Sequence, residues 1–320
     1  MINQTKLSEA GSQFWNKNIL ASGKNKFAFA STLAVYVYEI VDHKGLSVVL
    51  DKILSDHTST ITAIEWNPKE STQLATASEA GDVYIWSIRS ERPKIHVELD
   101  NTVATMLHWN PVNANNLLFV LKSGEVKYLK INEREIEKIN GLGGKNPVVA
   151  KWHPTNGEVI FIGYKNGLTE FYNNSTQTII SKYKHTAPVE DIAWYKGEDY
   201  ALASYEDGTM WVFEQDYEKP RTLFERQAAG IQSLMWINDK SGDFITTSKT
   251  VCALKIWNVA QQNPKKMVKI VPSGIGSSHA SPGAGRSIFP LAIMPIQEYN
   301  NLVLIACTNG SIALFNIEKK

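Results

Sequence analysis

The chain of 320 residues predicts an all-β fold, a seven-bladed β-propeller, and two periodic markers together with its length predict it. Trp66, Trp109, Trp152, Trp194 and Trp236 stand 43, 43, 42 and 42 residues apart. Turn glycines Gly81, Gly124, Gly167 and Gly208 keep the same beat, at 43, 43 and 41 residues. A repeat of about 40–45 residues is the length of one four-stranded blade. Dividing the chain by that period gives roughly seven units, inside the range of about four to eight blades for closed propellers.

The unit from Leu54 to Leu99 shows why the repeat makes a blade. Ile61–Trp66 is a β-branched and apolar run suited to the innermost strand, and Asn67-Pro68 ends it because proline cannot keep donating to a ladder. Leu74–Ser78 is a second strand, rich in small residues. Glu79-Ala80-Gly81-Asp82 is a hairpin turn whose glycine can take the positive φ required. Val83–Trp86 is apolar on both faces, as a strand covered by two neighbouring blades must be.

Later units repeat the plan with Ala104–Trp109 and 124–129, Val148–Trp152 and 167–172, Val189–Trp194 and 208–213, and Ile231–Trp236 and 254–257. Blade six has Lys249-Thr250 in place of the glycine turn. The last unit keeps Leu302–Ala306 and Asn309-Gly310 with 311–315, and no outer strand follows. The leading unit begins at Trp15, and the residues before it, about Thr5–Ala10, supply a strand that completes the last sheet and removes an open edge. The expected blades are 13–54, 55–99, 100–140, 141–183, 184–225, 226–271, and 286–320 joined by 5–10. Residues 272–287, rich in Ser, Gly, Pro and Ala, read as a loop between the last two blades.

Hydrophobic content of 43% and charged content of 20% are those of an ordinary folded domain. A net charge of +1, without long runs of one sign, argues against nucleic acid or an anionic membrane surface as partner. Cys252 and Cys307 are too few for a disulfide framework and read as buried thiols. No apolar stretch approaches a membrane span or a secretory leader, so an intracellular, cytoplasmic protein without membrane insertion is expected.

These blades, with Asn-Gly and Asp-Gly turns, resemble the WD-repeat family, although Trp-Asp itself never occurs: Trp86 precedes Ser87 and Trp257 precedes Asn258. Trp15-Asn16-Lys17, Phe27-Ala28, 32–38, Ser55-Asp56-His57, 60–68 and 254–259 are similar to the N-terminal propeller of the WD repeat-containing protein 17 family. That resemblance implies a scaffold in ciliated cells, and because members of that family continue past this propeller into further repeats, the chain reads as either the leading domain alone or a short relative. In WD repeats a pre-strand His, a Ser or Thr, a strand Trp and a turn Asp share a hydrogen-bond network. The matching residues are His57, Ser78 and Trp86, with Ala80 in place of the Asp, and His185, Ser204 and Asp207, with Phe213 in place of the Trp. The stretch 74–89 also resembles the box by which some WD-repeat proteins dock on a cullin-4 ubiquitin ligase adaptor. Arg89 matches it, whereas Ala80 and Ser87 stand where acidic residues are expected.

No catalytic constellation emerges, and an enzyme is not expected. The seven histidines lack metal-ligand spacing, so no metal and no cofactor are expected. Gly141-Leu142-Gly143-Gly144 precedes a strand and cannot present a helix N-terminus to phosphate. Glu190 and Asp191 are strand neighbours facing opposite ways. No small-molecule substrate is evident. What remains is the rim of turns, Glu79, Lys122, Lys165, Tyr205, Glu206 and Lys249, with Thr58 and Thr186, as a surface for a protein or peptide partner.

Overall fold

The computed structural model describes residues 4–7, 11–42, 46–90, 92–195, 200–214, 216–222, 230–237, 242–270 and 288–317. The expected loop 272–287 lies outside them. Seven antiparallel four-stranded sheets form the fold, and none of the described residues is helical. Six sheets are simple meanders, with strands a to d running outward in chain order. The a strands are Leu20–Ser22, Ile61–Trp66, Ala104–Trp109, Pro147–Trp152, Val189–Trp194, Ile231–Trp236 and Pro290–Ile296. Each packs beside the next, and the last packs beside the first, which closes a ring around an axis.

The seventh sheet is completed by Gln4–Leu7, paired antiparallel with Ile312–Asn316 from Gln4 opposite Phe315 to Leu7 opposite Ile312. Trp15 does not begin a strand. It is exposed before the short Leu20–Ser22, so the unit it seemed to mark opens with a loop.

Burial is greatest in strand b and least in the outermost strand d. Strand b of blade four, Val159–Tyr164, is buried throughout, whereas strand d of blade two, Pro93–Glu98, alternates half-buried and exposed residues. Strand b is covered on both faces by adjacent blades and is therefore buried at nearly every position, its polar members included, such as Thr76 and Ser78. The outermost strand has one wet face and returns to period two.

The periodic tryptophans act across the blade interfaces. The indole Nε1 of Trp109 donates to the carbonyl of Glu65 at 3.2 Å, that of Trp194 to Lys151 at 3.2 Å and that of Trp236 to Ala193 at 3.3 Å. Each acceptor immediately precedes the tryptophan of the preceding blade. The same bond thus recurs at three blade interfaces, two to three, four to five and five to six. Trp66 donates instead within its own turn, to Ser71, and Trp152 Nε1 has no partner among the described residues.

The glycine cluster 141–144 is structural. A Cβ on Gly144 would lie 2.4 Å from the Tyr164 ring, and the Gly143 amide donates to the buried Glu170 carboxylate, which also accepts from the Tyr164 hydroxyl. Of the two free thiols, Cys307 is buried and burial pushes it up to about 11, but Cys252 is only half-buried in a turn, contrary to expectation.

Candidate binding surfaces: the rim and the axial cup

Strand a contains one feature that positions both surfaces. Its register against strand b slips by one residue in blades two to seven, between Ile61/Ala63, Ala104/Met106, Pro147/Val149, Val189/Asp191, Ile231/Ser233 and Pro290/Ala292. Each slip leaves one residue out of the ladder, with its carbonyl open to other donors.

The segment 12–18 uses four of these carbonyls. Asn16 Nδ2 donates to Thr62 at 2.8 Å and Asn18 Nδ2 to Thr105 at 2.7 Å. The Lys17 ammonium donates to Glu190 and, at 3.4 Å, to Gln232. Three consecutive side chains from blade one therefore reach blades two, three, five and six across the axis. Ser12 Oγ donates to Gly310 at 2.9 Å and Gln13 Nε2 to Ile61 at 2.6 Å, which ties the segment to its two flanking blades.

The rim turns surround this crossbar. The amides of Glu79, Lys122, Lys165, Glu206 and Thr308 donate to Thr60, Val103, Asn146, Pro188 and Phe289 at 2.8–3.0 Å, so each b–c turn is fastened to the loop leading into its own blade. Glu79, Lys122, Lys165, Glu206 and Lys249 are exposed, as are Thr58 and Thr186. Lys249 is engaged by Glu190 at 2.5 Å.

Tyr205 is not a rim residue. It is fully buried, stacked on His185 with ring centroids 4.2 Å apart, because it ends strand b one position before the turn. The exposed aromatic groups of this face lie elsewhere. Phe14 and Trp15 are 57% and 58% exposed and pack edge to face at 4.7 Å, on the segment anchored over the axis. Phe14 belongs to no repeat, so the periodicity does not mark it.

The histidine network needs one correction in each blade. His57 Nε2 lies 2.6 Å from Thr76 Oγ1, which accepts the Trp86 indole at 2.8 Å, and blade six repeats the second bond from Trp257 to Thr246 at 2.8 Å. Ser78, two residues nearer the turn, instead accepts the Ala80 amide at 3.3 Å. In blade five, Ser204 lies on the opposite strand face from the network and donates to the Asp191 carbonyl at 3.3 Å. His185 Nε2 is 3.9 Å from Asp207, and its ring meets Trp211 edge-on.

His57 Nδ1 is buried without a partner among the described residues, beside the turn where Ala80 replaces an acid, and burial holds its pKa down at about 4. Ala80→Asp is therefore expected to stabilise the protein by about 1 kcal/mol by supplying an acceptor. It is also expected to raise the His57 pKa, which an NMR titration would follow. An unchanged melting temperature together with an unchanged titration would show that the carboxylate does not reach the ring.

Arg89 is exposed after strand c of blade two, at the end of the blade away from the b–c turns. Asp82, His96 and Glu98 lie with ligand atoms within 4.8 Å of one another on the outer strands of that blade. His96 pairs with Asp82 at 2.7 Å.

Beneath the crossbar is a cavity of about 840 Å³. It runs from Lys17 and Asn18 at the starts of the a strands to Pro68, Pro111 and Pro154, which follow their ends. The crossbar lies across its rim end and gives it the form of a cup. Its ionisable residues are Lys17, Glu65, His108, Lys151, Asp191 and Tyr195. Lys151 donates to Asp191 Oδ1 at 3.1 Å and to the Ile192 carbonyl at 2.6 Å. Asp191 also accepts the amides of Ile192 at 2.9 Å and Leu234 at 3.1 Å, and Ser233 Oγ at 3.4 Å.

Burial disfavours an ionised Asp191, but the ammonium groups of Lys151 and Lys17 outweigh it and hold the carboxyl below its ordinary value. Burial lowers Lys17 against the pull of Asp191 and Glu190. His108 is held at about 3 by burial and by Lys151, and its Nδ1 accepts the Trp152 amide at 3.1 Å. Glu65, whose carboxylate is 3.9 Å from His108 Nε2, is pushed up to about 8 by burial. Sequence reasoning missed this group, although a signal was present: the residues just before three periodic tryptophans are Glu65, His108 and Lys151.

Residues 49–87 match the WD40 family described as "WD domain, G-beta repeat". A chain of the crystal structure titled Mitotic Checkpoint Complex superposes with a TM-score of 0.77 at 13% identity, covering 99% of this chain and 91% of that one. The Cps50 (Swd1) β-propeller domain of Myceliophteria thermophila superposes with a TM-score of 0.75 at 12% identity, covering 99% and 100%. The chain thus carries a WD40 repeat at 49–87 within a seven-bladed β-propeller of the WD type.

Proposed function

We propose that this propeller is a non-enzymatic scaffold that holds a protein or peptide partner on its rim face, centred on Phe14 and Trp15. The observation that carries the reading is this exposed aromatic pair, fixed by its neighbours Gln13, Asn16, Lys17 and Asn18 to four other blades. Exposed aromatic groups on a rigid frame are the residues on which interface energies concentrate. Around the pair, Glu79, Lys122, Lys165 and Glu206 provide a charged periphery. One protein of the same fold is a member of the Mitotic Checkpoint Complex, which supports work inside an assembly. Similarity of the first 70 residues to the WD repeat-containing protein 17 family points to a ciliary assembly and an intracellular site.

The test is quantitative affinity purification from ciliated cells with the unmodified protein, Phe14→Ala/Trp15→Ala and Arg89→Ala. A partner set lost with the aromatic variant and kept with Arg89→Ala is expected. Because Arg89 is exposed at the opposite end of its blade, loss of a cullin-4 adaptor with Arg89→Ala alone would favour the ligase-receptor reading instead. Equal recovery by all three proteins would remove both surfaces from consideration.

A further inference from the structure

The cup beneath the crossbar has the size and lining of a ligand site. Its volume of about 840 Å³ falls within the roughly 300–1,000 Å³ of small-molecule pockets, which pair apolar walls with a few convergent polar groups. Leu20, Ile64, Met106, Val149, Met235 and Ile293 are among its apolar lining.

The polar end has an imbalance of donors over acceptors. Both oxygens of Asp191 are occupied, by two amides, an ammonium and a hydroxyl. Glu190 and Gln232 give their carbonyls to Lys17, Ile192 gives its carbonyl to Lys151, and His108 Nδ1 is taken by the Trp152 amide. Each ammonium has three N–H bonds and two of these acceptors, so each retains one for a guest. Lys17 and Lys151 face the Asp191 carboxyl and together hold it below its ordinary value. Glu65, which stands near Lys151, is pushed up to about 8 by burial and offers a further O–H below that pH.

We infer that the axial cup binds a small amphipathic anion, with its oxyanion head between Lys17, Lys151 and Glu65 and its apolar body along the cup wall. The entrance is the end marked by Pro68, Pro111 and Pro154, remote from Phe14 and Trp15. This site is independent of the partner surface on the rim, and the Phe14→Ala/Trp15→Ala protein retains it.

Octanoate is the probe, with 1-octanol and octylammonium as equal-length controls, read by titration calorimetry. Saturable one-to-one binding of octanoate is expected, with both controls weaker by at least about tenfold. Lys17→Met, which keeps the apolar stem, is expected to lose about tenfold or more. A readout that does not depend on that variant's folding is the pH profile. Octanoate affinity should fall as pH rises through about 8 in the unmodified protein, where Glu65 ionises, and should fall less over that range in Glu65→Gln, where the loss of charge from the lowered Lys17 alone remains. No saturable octanoate binding, equal binding of the three probes, or the same pH profile in both proteins would each overturn the assignment.

Discussion

Replacement of Asp191 by alanine is expected to destabilise the protein by about 3–5 kcal/mol, the cost of leaving a buried charge without its counterion. The carboxylate accepts from Lys151 at 3.1 Å and from two backbone amides, and Lys17 lies in its field. The loss should show in urea melts as a lower midpoint. Adding Lys151→Met to Asp191→Ala should recover part of it, since the uncompensated ammonium is then gone. Failure to recover would assign the cost to the amide bonds instead.

The pH dependence has a definite sign. A carboxyl held below its unfolded value of 3.8 contributes stability that is present above that value and is lost as pH falls through the lower folded value. The unmodified protein should therefore lose stability more steeply than Asp191→Ala below about pH 4.

The second large effect is expected at the b–c turns, where three glycines share one conformation and differ in surroundings. Gly167, Gly81 and Gly124 have φ of 85°, 84° and 88°. Alanine at any of them meets the left-handed penalty of about 1–2 kcal/mol. A Cβ on Gly167 would also lie 2.3 Å from the His185 carbonyl and 2.4 Å from that of Ala187, whereas on Gly81 the nearest atom is 2.9 Å away, and on Gly124 it is a side-chain oxygen at 3.3 Å. Backbone cannot yield as a side chain does. Gly167→Ala is expected to cost about 3 kcal/mol or more, Gly81→Ala less, and Gly124→Ala only the conformational penalty. Equal losses at all three would show that the turns relax and that packing between turn and loop does not hold the rim.

The ring was legible because its cause is periodic. Tryptophans at equivalent ends of strand a recur at the blade spacing, three of them, Trp109, Trp194 and Trp236, making the same indole bond to the preceding blade, and the glycines follow from the turns those blades require. The sites were less legible because they break the repeat. Phe14, Trp15 and Lys17 occur once, on a loop whose partners lie across the axis, and nothing local in their sequence names those partners. Tyr205 looked like part of a turn because the strand ends one residue later than its composition suggests. Ser78 and Thr76 are interchangeable in a pattern, and only the reach of Trp86 decides between them. Glu65, His108 and Lys151 occupy equivalent positions, but their chemistry becomes visible only when the blades bring them around one cup.

The crossbar gives the folding of this chain an order in time. Gln4–Leu7 finds its partner at Ile312–Asn316, Ser12 binds Gly310 at a separation of 298 residues, and Lys17 reaches Glu190 and Gln232 at separations of 173 and 215. Synthesis delivers the first residues long before their partners exist, and contacts of such separation carry the largest loop-closure cost. Blades two to six can form as each leaves the ribosome, while the leading segment waits. Fastening the circumference and capping the axis then become one terminal event, which gives Phe14 and Trp15 their fixed position only in a finished ring.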